Sequence, residues 1–450
     1  MSGLRFTSEA YAELQTRLFA ESDVESCAVA YLDYSAGADT WIVCAIAIPS
    51  DTVYERRTSD AAVLSAGHVV EIANRARAEN YSVAMIHTHP HSAGFPEFSP
   101  VDDSGELELA EFFGRRIPRG KHLALVVGRD GCRARVLGQR QEVPVWEVGS
   151  SLVLRSAPER IDIDDRHDRQ IRAFGEGGQR AVSRLRVGVV GAGGTGSVAI
   201  QQLAHLGVND LTIIDPDYVE LTNLNRLAGS IPSDVGSSKV SVARRMFLGI
   251  NPSAMVETVQ RNVVDADVGR RLAEMDFIFL CTDSHASRAV ICQAAYQFLV
   301  PVVDMGVSIT TAEKTITHVT GRVQMLAPGL PCLVCTQALD GEQIRREMLS
   351  PEHRVADPYV LGDKPIPQPA VISLNSTMSS LAVTMFLSAV TGAPLAARFQ
   401  YYDGLRGTVR PTTARRVENC VACSAAGALA KGYRWRLPVR TLRCDDVGPT

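Results

Sequence analysis

Hydrophobic and polar positions follow two different patterns along the 450-residue chain, one in the first third and another from about Asp165. In the first third, Tyr11, Leu14, Leu18 and Phe19 share one face of a predicted helix, because residues three and four apart lie on the same side. Helices are also predicted over 61–79 and from about Ser99. Short apolar runs predict strands at ESCAVAYL, TWIVCAIAIP and YSVAMI, and HLALVVG with CRARVLG predicts a hairpin. These elements predict a first α/β unit.

From about Asp165, short buried strands alternate with helical segments. The strand-like runs are RLRVGVV, LTIID, MDFIFLCTD and VPVVDMG. Alternation of this kind is typical of a doubly wound, mostly parallel sheet. The weakly patterned segment 336–369 predicts a mobile loop over a site. The predicted organisation is an α/β domain at 1–145, a linker at 146–164, a doubly wound Rossmann-like domain at 165–430 and a tail at 431–450.

The composition favours a protein with sizeable cores and argues against two classes of partner. Hydrophobic residues make up 46% and charged residues 21% of the chain, which is typical of globular domains. A net charge of -4 lacks the basic excess that nucleic-acid binding requires. The start of the chain has no apolar signal-peptide core, and LAVTMFLSAVTGAPLAA falls short of a membrane span. We therefore expect a soluble, cytoplasmic protein without nucleic-acid or membrane partners.

Four of the ten cysteines form two CxxC pairs, Cys332 with Cys335 and Cys420 with Cys423. Two such pairs fit a closed tetrahedral site in which four thiolates hold structural zinc. A redox motif or two buried cysteine pairs are the alternatives. The pattern favours zinc.

A second candidate metal site follows the strand YSVAMI, where the sequence continues with His87-Thr88-His89-Pro90. Side chains two residues apart on an extended backbone point the same way, so both imidazoles can bind one metal ion. Asp102 follows within Ser99-Pro100-Val101-Asp102. That quartet also reads as an ordinary helix start, with serine as the N-cap and proline in the first turn.

This part of the chain resembles the JAB/MPN (JAMM) metallopeptidases, which cut at the C-termini of ubiquitin-like proteins. The family pattern is a glutamate on an early strand, then HxH(P), then SxxD, and the matching residues are Glu25, His87, His89, Ser99 and Asp102. The resemblance implies catalytic zinc on the two histidines and Asp102, with Glu25 as the general base and the Ser99 hydroxyl on the oxyanion. The gap between His89 and Asp102 is longer than in most of the family. An inactive fold that only binds a partner is the alternative.

A glycine-rich segment follows the strand RLRVGVV and opens a helix, with glycines at Gly191, Gly193, Gly194 and Gly196. In this context a phosphate group is held at the helix N-terminus. Asp215, at the end of the next strand, can accept a hydrogen bond from a ribose hydroxyl. The glycines alone do not separate NAD from ATP.

The residues that follow resemble the ThiF/MoeB and ubiquitin-activating enzymes. Residues 214–226 read IDPDYVELTNLNR, close to the family string DxDxVExSNLNRQ, and RHDRQ, Lys239 and Cys281-Thr282-Asp283 with Arg288 match further family motifs. The resemblance implies that Asn223, Arg226 and Lys239 line the phosphates of ATP, while Asp283 holds Mg²⁺ and Arg169 reaches across a homodimer. Asp217 and Asn225 complete the implied nucleotide-binding set. Leu227 stands where the family has glutamine.

The implied activity is ATP-dependent adenylation of the C-terminal carboxylate of a ubiquitin-like or sulfur-carrier-like protein with a small-residue tail. The fused peptidase would trim or deconjugate the same tail, and a conjugating enzyme or a sulfur donor would be a further partner. Alternatives are a sulfur-carrier activating enzyme of cofactor biosynthesis, a non-catalytic carrier-binding module and a nicotinamide oxidoreductase. No cysteine lies between Cys335 and Cys420, where relatives carry a thioester-forming residue, so we expect the reaction to stop at the adenylate.

Overall fold

The computed structural model describes residues 3–21, 23–158, 162–313, 315–349 and 369–440. The chain separates into two compact units. The first comprises Met1–Arg160, Gln297–Leu299 and Ala430–Trp435, and the second comprises Ile161–Tyr296, Val300–Leu429 and Arg436–Thr450. None of the described helices is both long enough and apolar enough to cross a membrane.

The first unit is an α/β domain built on one mixed sheet. Its strands are β1 (Gly3–Thr7), β2 (Cys27–Ser35), β3 (Thr40–Ala47), β4 (Tyr54–Arg57), β5 (Ala62–Leu64), β6 (Ser82–Thr88), β7 (Leu123–Val127), β8 (Cys132–Val136), β9 (Glu142–Val143), β10 (Val145–Val148) and β11 (Leu152–Leu154). Its helices are α1 (Ser8–Leu18), α2 (Ala66–Ala78) and α3 (Pro100–Arg116). The strand order is β11-β10-β1-β3-β2-β6-β7-β8-β9, and β4 pairs with β5 separately. Apolar side chains of α1 belong to one core cluster, while those of α2 and α3 belong to another.

Three sequence predictions for this unit need correction. The predicted linker at 146–164 includes most of β10 and all of β11, which extend the sheet beyond β1; β10 pairs in parallel with β1 and β11 pairs antiparallel with β10. The pattern missed β10 because it is only four residues long and follows Pro144. The helix predicted over 61–79 begins at Ala66, because the Ser65 side chain accepts from the backbone N–H of His68 and caps it. The start of the predicted tail, up to Trp435, belongs to the first unit, and 441–450 lie outside the described residues.

The second unit contains a doubly wound sheet with an antiparallel extension. Its strands are β12 (Arg186–Val190), β13 (Asp210–Ile214), β14 (Met255–Val259), β15 (Phe277–Leu280), β16 (Val302–Ala312), β17 (Thr315–Leu326), β18 (Phe399–Asp403) and β19 (Thr408–Pro411). Its helices are α4 (Asp168–Arg184), α5 (Gly194–Leu206), α6 (Lys239–Ile250), α7 (Ala266–Arg270), α8 (His285–Gln297), α9 (Gly341–Met348) and α10 (Ile372–Thr391). The strand order is β14-β13-β12-β15-β16-β17-β18-β19.

The expectation of a mostly parallel sheet holds for the strands from β14 to β16 only. The strands β17, β18 and β19 are antiparallel to their neighbours. The short connection between β16 and β17 leaves antiparallel pairing as the available arrangement, since parallel strands need a long crossover. Of the segment predicted as a mobile loop, α9 is helical, whereas 350–368 lie outside the described residues.

The strand order of the parallel part reverses between β12 and β15. The chain runs outward from β12 through β13 to β14 and then returns to the other side of β12 with β15 and β16. In sheets of this kind, ligands bind at the carboxyl ends of the strands where the order reverses. The segments that follow β12 and β15 therefore meet at the expected ligand position.

Candidate functional sites

The glycine-rich loop after β12 is shaped by close backbone contacts. Gly191 has φ 96°, in the left-handed region that favours glycine. A Cβ on Gly191 would lie 2.7 Å from the carbonyl oxygen of Cys281, which follows β15. A Cβ on Gly196 would collide with the carbonyl oxygen of Gly191. These two glycines allow the loop to close tightly against the end of β15.

The next two glycines differ in what surrounds them. Gly193 is the N-cap of α5, and a Cβ there would meet nothing within 4 Å. That open space at a helix N-terminus is suited to a phosphate group. A Cβ on Gly194 would collide with the side-chain amide of Asn375 on α10 and would lie 3.4 Å from Cδ of Arg226. Asn375 was not predicted from the sequence, because it is one of many polar residues on α10 and belongs to none of the motifs.

The Asp215 carboxylate accepts hydrogen bonds from two backbone N–H groups, one of them in the glycine-rich loop. Its Oδ2 accepts from the backbone N–H of Ala192 at 2.6 Å, and its Oδ1 accepts from that of Asp217 at 2.8 Å. The side chain is 4% exposed, and burial raises the pKa of Asp215. Oδ2 thus holds the glycine-rich loop and Oδ1 holds the segment after β13, and the ribose contact expected from the sequence stays a prediction.

The motif residues after β13 are held by an ion pair and by hydrogen bonds to the backbone. The Nζ of Lys239 pairs with Oδ2 of Asp217 at 2.7 Å. The Oδ1 of Asn223 accepts from the backbone N–H of Glu220 at 3.1 Å and so caps a short turn. The guanidinium of Arg226 donates to the carbonyl of Thr222 at 2.7 Å.

Arg226 also donates to Oδ1 of Asn225 at 3.2 Å. Asp283 is exposed just beyond β15, where a carboxylate could hold Mg²⁺. The glycine-rich loop at residues 191–196, called the glycine cradle, and the Asp283 carboxylate together fit a magnesium nucleotide. Arg169 is exposed in the first turn of α4, and the part of the chain that the structure describes shows no contact between it and the cradle.

The four CxxC cysteines come together in the second unit. Their sulfur atoms all lie within 4.8 Å of one another. Cys332 Sγ is 3.4 Å from Cys420 Sγ, and Cys335 Sγ is 3.4 Å from Cys423 Sγ. Tetrahedral zinc with bonds of about 2.3 Å separates its sulfur ligands by roughly 3.8 Å, which lies within the range of distances in this cluster.

The histidine motif of the first unit also forms a compact cluster. Donor atoms of His87, His89 and Asp102 all lie within 4.8 Å of one another. His87 Nε2 is 3.1 Å from Asp102 Oδ1, yet it is buried and not aligned for a hydrogen bond. His89 Nε2 lies 3.5 Å from Asp102 Oδ2. An imidazole nitrogen without a hydrogen-bond partner that faces a carboxylate fits a metal ligand set.

Two further residues border this cluster. Glu25 is 7% exposed, its Oε1 lies 3.7 Å from His89 Nε2, and burial raises its pKa. Ser99 and Asp102 cap α3 reciprocally, because each side chain accepts from the other's backbone N–H. The Ser99 hydroxyl accepts in that bond and keeps its own proton for donation. The structure thus brings together all five residues named from the first resemblance.

Comparisons with known proteins place the second unit. The ThiF family model matches residues 167–422. The molybdopterin-synthase adenylyltransferase of Escherichia coli (strain K12) is 31% identical over 260 residues, which cover 57% of this chain and 95% of the relative. The SAMP-activating enzyme E1 of Haloferax volcanii is 29% identical over 268 residues, covering 58% of this chain and 90% of the relative. The sulfur carrier protein adenylyltransferase of Thermus thermophilus is 28% identical over 261 residues, covering 58% and 90%.

Proposed function

The chain belongs to the ThiF family, and from that premise we propose that it uses ATP to adenylate the C-terminal carboxylate of a small carrier protein. The main support for this proposal is the position of two features. The glycine cradle follows β12, the exposed carboxylate of Asp283 follows β15, and both lie at the carboxyl ends of these adjacent parallel strands. Relatives named for molybdopterin synthase, SAMP and a sulfur carrier support a ubiquitin-like or sulfur-carrier protein as the substrate.

In the proposed reaction, a carboxylate oxygen of the carrier attacks the α-phosphorus of ATP. The bond between the α-phosphorus and the bridging oxygen breaks, and pyrophosphate leaves with the electron pair. The nucleophile is already ionised, so the chain's residues contribute positioning and charge stabilisation. Backbone N–H groups at the start of α5 hold phosphate oxygens, and the cations of Arg226 and Lys239 stabilise the leaving group. Asp283 would hold Mg²⁺, which supplies further charge neutralisation.

The fate of the adenylate separates two versions of this function. The chain has no cysteine between Cys335 and Cys420, and burial raises the pKa of Cys281 well above its usual range. A protonated, buried thiol is a poor nucleophile. We therefore propose that a partner's thiol, a sulfur donor or an amine takes the adenylate directly. A sulfur donor would make the chain a carrier-activating enzyme of cofactor biosynthesis, and a conjugating enzyme would make it part of a modification system.

We also propose that the first unit is a zinc peptidase that acts on the same tail. Zinc held by His87, His89 and Asp102 would supply a Lewis acid for the scissile carbonyl. Glu25 would take the proton of the attacking water, and the Ser99 hydroxyl would donate to the oxyanion. The convergence of the five side chains supports a catalytic role over the alternative of a binding module that only recruits the carrier.

ATP–pyrophosphate exchange with ubiquitin-like proteins that end in small residues tests the adenylation. Arg226→Ala and Asp283→Ala should each reduce exchange about 100-fold or more, as loss of a transition-state contact does. Arg244→Ala, an exposed arginine on α6, is the matched control and should exchange at the wild-type rate. Normal exchange in either site variant would mean that the chemistry lies elsewhere.

A further inference from the structure

A fully buried carboxylate in the second unit lies between two arginines. Asp304 on β16 is 0% exposed. Its Oδ2 is 2.6 Å from Nη2 of Arg322 on β17, and its Oδ1 is 3.2 Å from Nη1 of Arg288 on α8. Removing such charges from water costs about as much as their attraction returns, so stability alone is a weak reason for the cluster.

The two arginines differ in what else they hold. Nε and Nη2 of Arg288 both donate to the carbonyl oxygen of Thr282, at 3.1 and 3.0 Å. This carbonyl belongs to the peptide unit that joins Thr282 to Asp283. In the part of the chain that the structure describes, Arg322 pairs with Asp304 and has no contact with that turn. Arg288 is thus the member of the cluster that reaches the nucleotide site.

The turn that Arg288 holds is also the one against which the glycine loop closes. The carbonyl of Cys281, one residue earlier, is the atom that a side chain on Gly191 would strike. A shift of the turn would therefore move Asp283 and alter the cradle at the same time. A planar guanidinium that donates twice to one oxygen restricts such a shift more than a single donor can.

We propose that Arg288, oriented by Asp304, is a positioning residue that fixes the peptide before Asp283 so that this carboxylate is preset to hold Mg²⁺. The inference rests on the proposed adenylation, because it assumes a magnesium nucleotide in the cradle. It adds a residue pair that acts through Asp283 and does not touch the substrate.

The test measures binding of ATP to the full chain by calorimetry over a range of Mg²⁺ concentrations, without any carrier. In Arg288→Lys, which keeps the charge but loses the paired donors, the Mg²⁺ concentration for half-maximal binding should rise at least tenfold, an order of magnitude typical of residues behind a metal ligand. Asp304→Asn should shift it in the same direction. Affinity for ATP without Mg²⁺ should stay the same in both variants.

Arg322→Lys is the matched control, since it contacts the same carboxylate without touching the turn. Its Mg²⁺ dependence should stay within about twofold of the wild type, as for a substitution outside the site. Wild-type Mg²⁺ dependence in Arg288→Lys, or an equal shift in Arg322→Lys, would overturn the proposal. If Arg288→Lys does not fold, Arg288→Gln, which retains an amide donor, replaces it with the same expected shift. Failure of the wild type itself to bind ATP would instead contradict the proposed function.

Discussion

At the residue scale, several side chains in the two candidate sites already have structural roles. Asp102 and Ser99 cap a helix, and Asp215 accepts from the backbone N–H of Ala192 in the glycine loop and from that of Asp217 after β13. Such bonds fix each functional group in one rotamer, which is the condition for preorganised electrostatics. Burial raises the pKa of Asp102, but the neighbouring imidazoles and the Ser99 N–H lower it by more. The pKa of Asp102 therefore lies well below its usual range. Asp102 is therefore in the ionised form that a cation would require.

Glu25→Gln tests the role of the residue beside the histidine cluster. Because Glu25 is proposed as the base and not as a ligand, the variant should keep its zinc and lose peptidase activity about 100-fold or more. The measurement is cleavage of a carrier extended beyond its natural C-terminus, together with zinc content. Glu97→Gln is the control, since the Glu97 side chain is 81% exposed and should tolerate the change. Full activity in Glu25→Gln would remove it from the mechanism.

At the scale of elements, both units place their chemistry where a strand ends and a helix begins. His87 lies on β6 and Asp102 in the first turn of α3, while the glycine loop joins β12 to α5. The backbone N–H groups at the start of a helix lack partners within it, so the junction before α5 suits a phosphate, whereas the Ser99 and Asp102 side chains cap the start of α3. Local sequence and local structure thus agree at both sites.

The glycines of the loop give a prediction in which folding and binding separate. Gly196→Ala should lower the free energy of unfolding by about 1–3 kcal/mol, because its Cβ would collide with the carbonyl of Gly191. Gly193→Ala should leave unfolding unchanged but weaken ATP binding, since its Cβ would enter the open space proposed for phosphate. Chemical denaturation and calorimetry give the two quantities. The reverse pattern would contradict the assignment of these glycines.

The two metal clusters should respond differently to the loss of a ligand. We expect two zinc ions per chain, one of which is lost in His87→Ala and the other in Cys332→Ser, as measured by elemental analysis. Cys332→Ser should also destabilise the second unit, because structural zinc contributes directly to folding, whereas His87→Ala should affect mainly activity. Retention of both ions in either variant would show that its residue is not a ligand.

Strands could be predicted where the run of apolar residues is long, and candidate site residues could be predicted where a motif is continuous in the sequence. The segments that form β6, β12 and β15 are apolar runs with clear ends, and the motif residues beside each strand follow it closely in the sequence. The pattern failed for β10, which is short and gains its stability from long-range pairing with β1. It also missed Asn375, because only the packing of α10 brings this side chain to Gly194.

At the scale of the whole molecule, one chain carries a histidine–carboxylate cluster in its first unit and a ThiF-family adenylyltransferase domain in its second unit. A peptidase and an activating enzyme that use the same tail would act in sequence, since cleavage exposes the carboxylate that adenylation requires. This order gives a functional reason for joining the two units covalently.

Arg169 provides a prediction about assembly. Because it is exposed and proposed to act across a homodimer, Arg169→Ala and Asp283→Ala should each be inactive alone. Mixing them under conditions that exchange subunits should restore ATP–pyrophosphate exchange, since one site of the mixed dimer has both residues. Absence of any recovery, although mixed dimers are shown to form, would place Arg169 outside the partner's site.

The most direct test of the central claim uses two ATP analogues that differ in which phosphate bridge is blocked. Adenylation breaks the bond between the α- and β-phosphates, so a carrier adenylate detected by mass spectrometry should form with ATP and with the β,γ-methylene analogue. It should not form with the α,β-methylene analogue. The opposite result, an adenylate absent with ATP while the γ-phosphate is released, would contradict carboxylate adenylation as the activity of this chain.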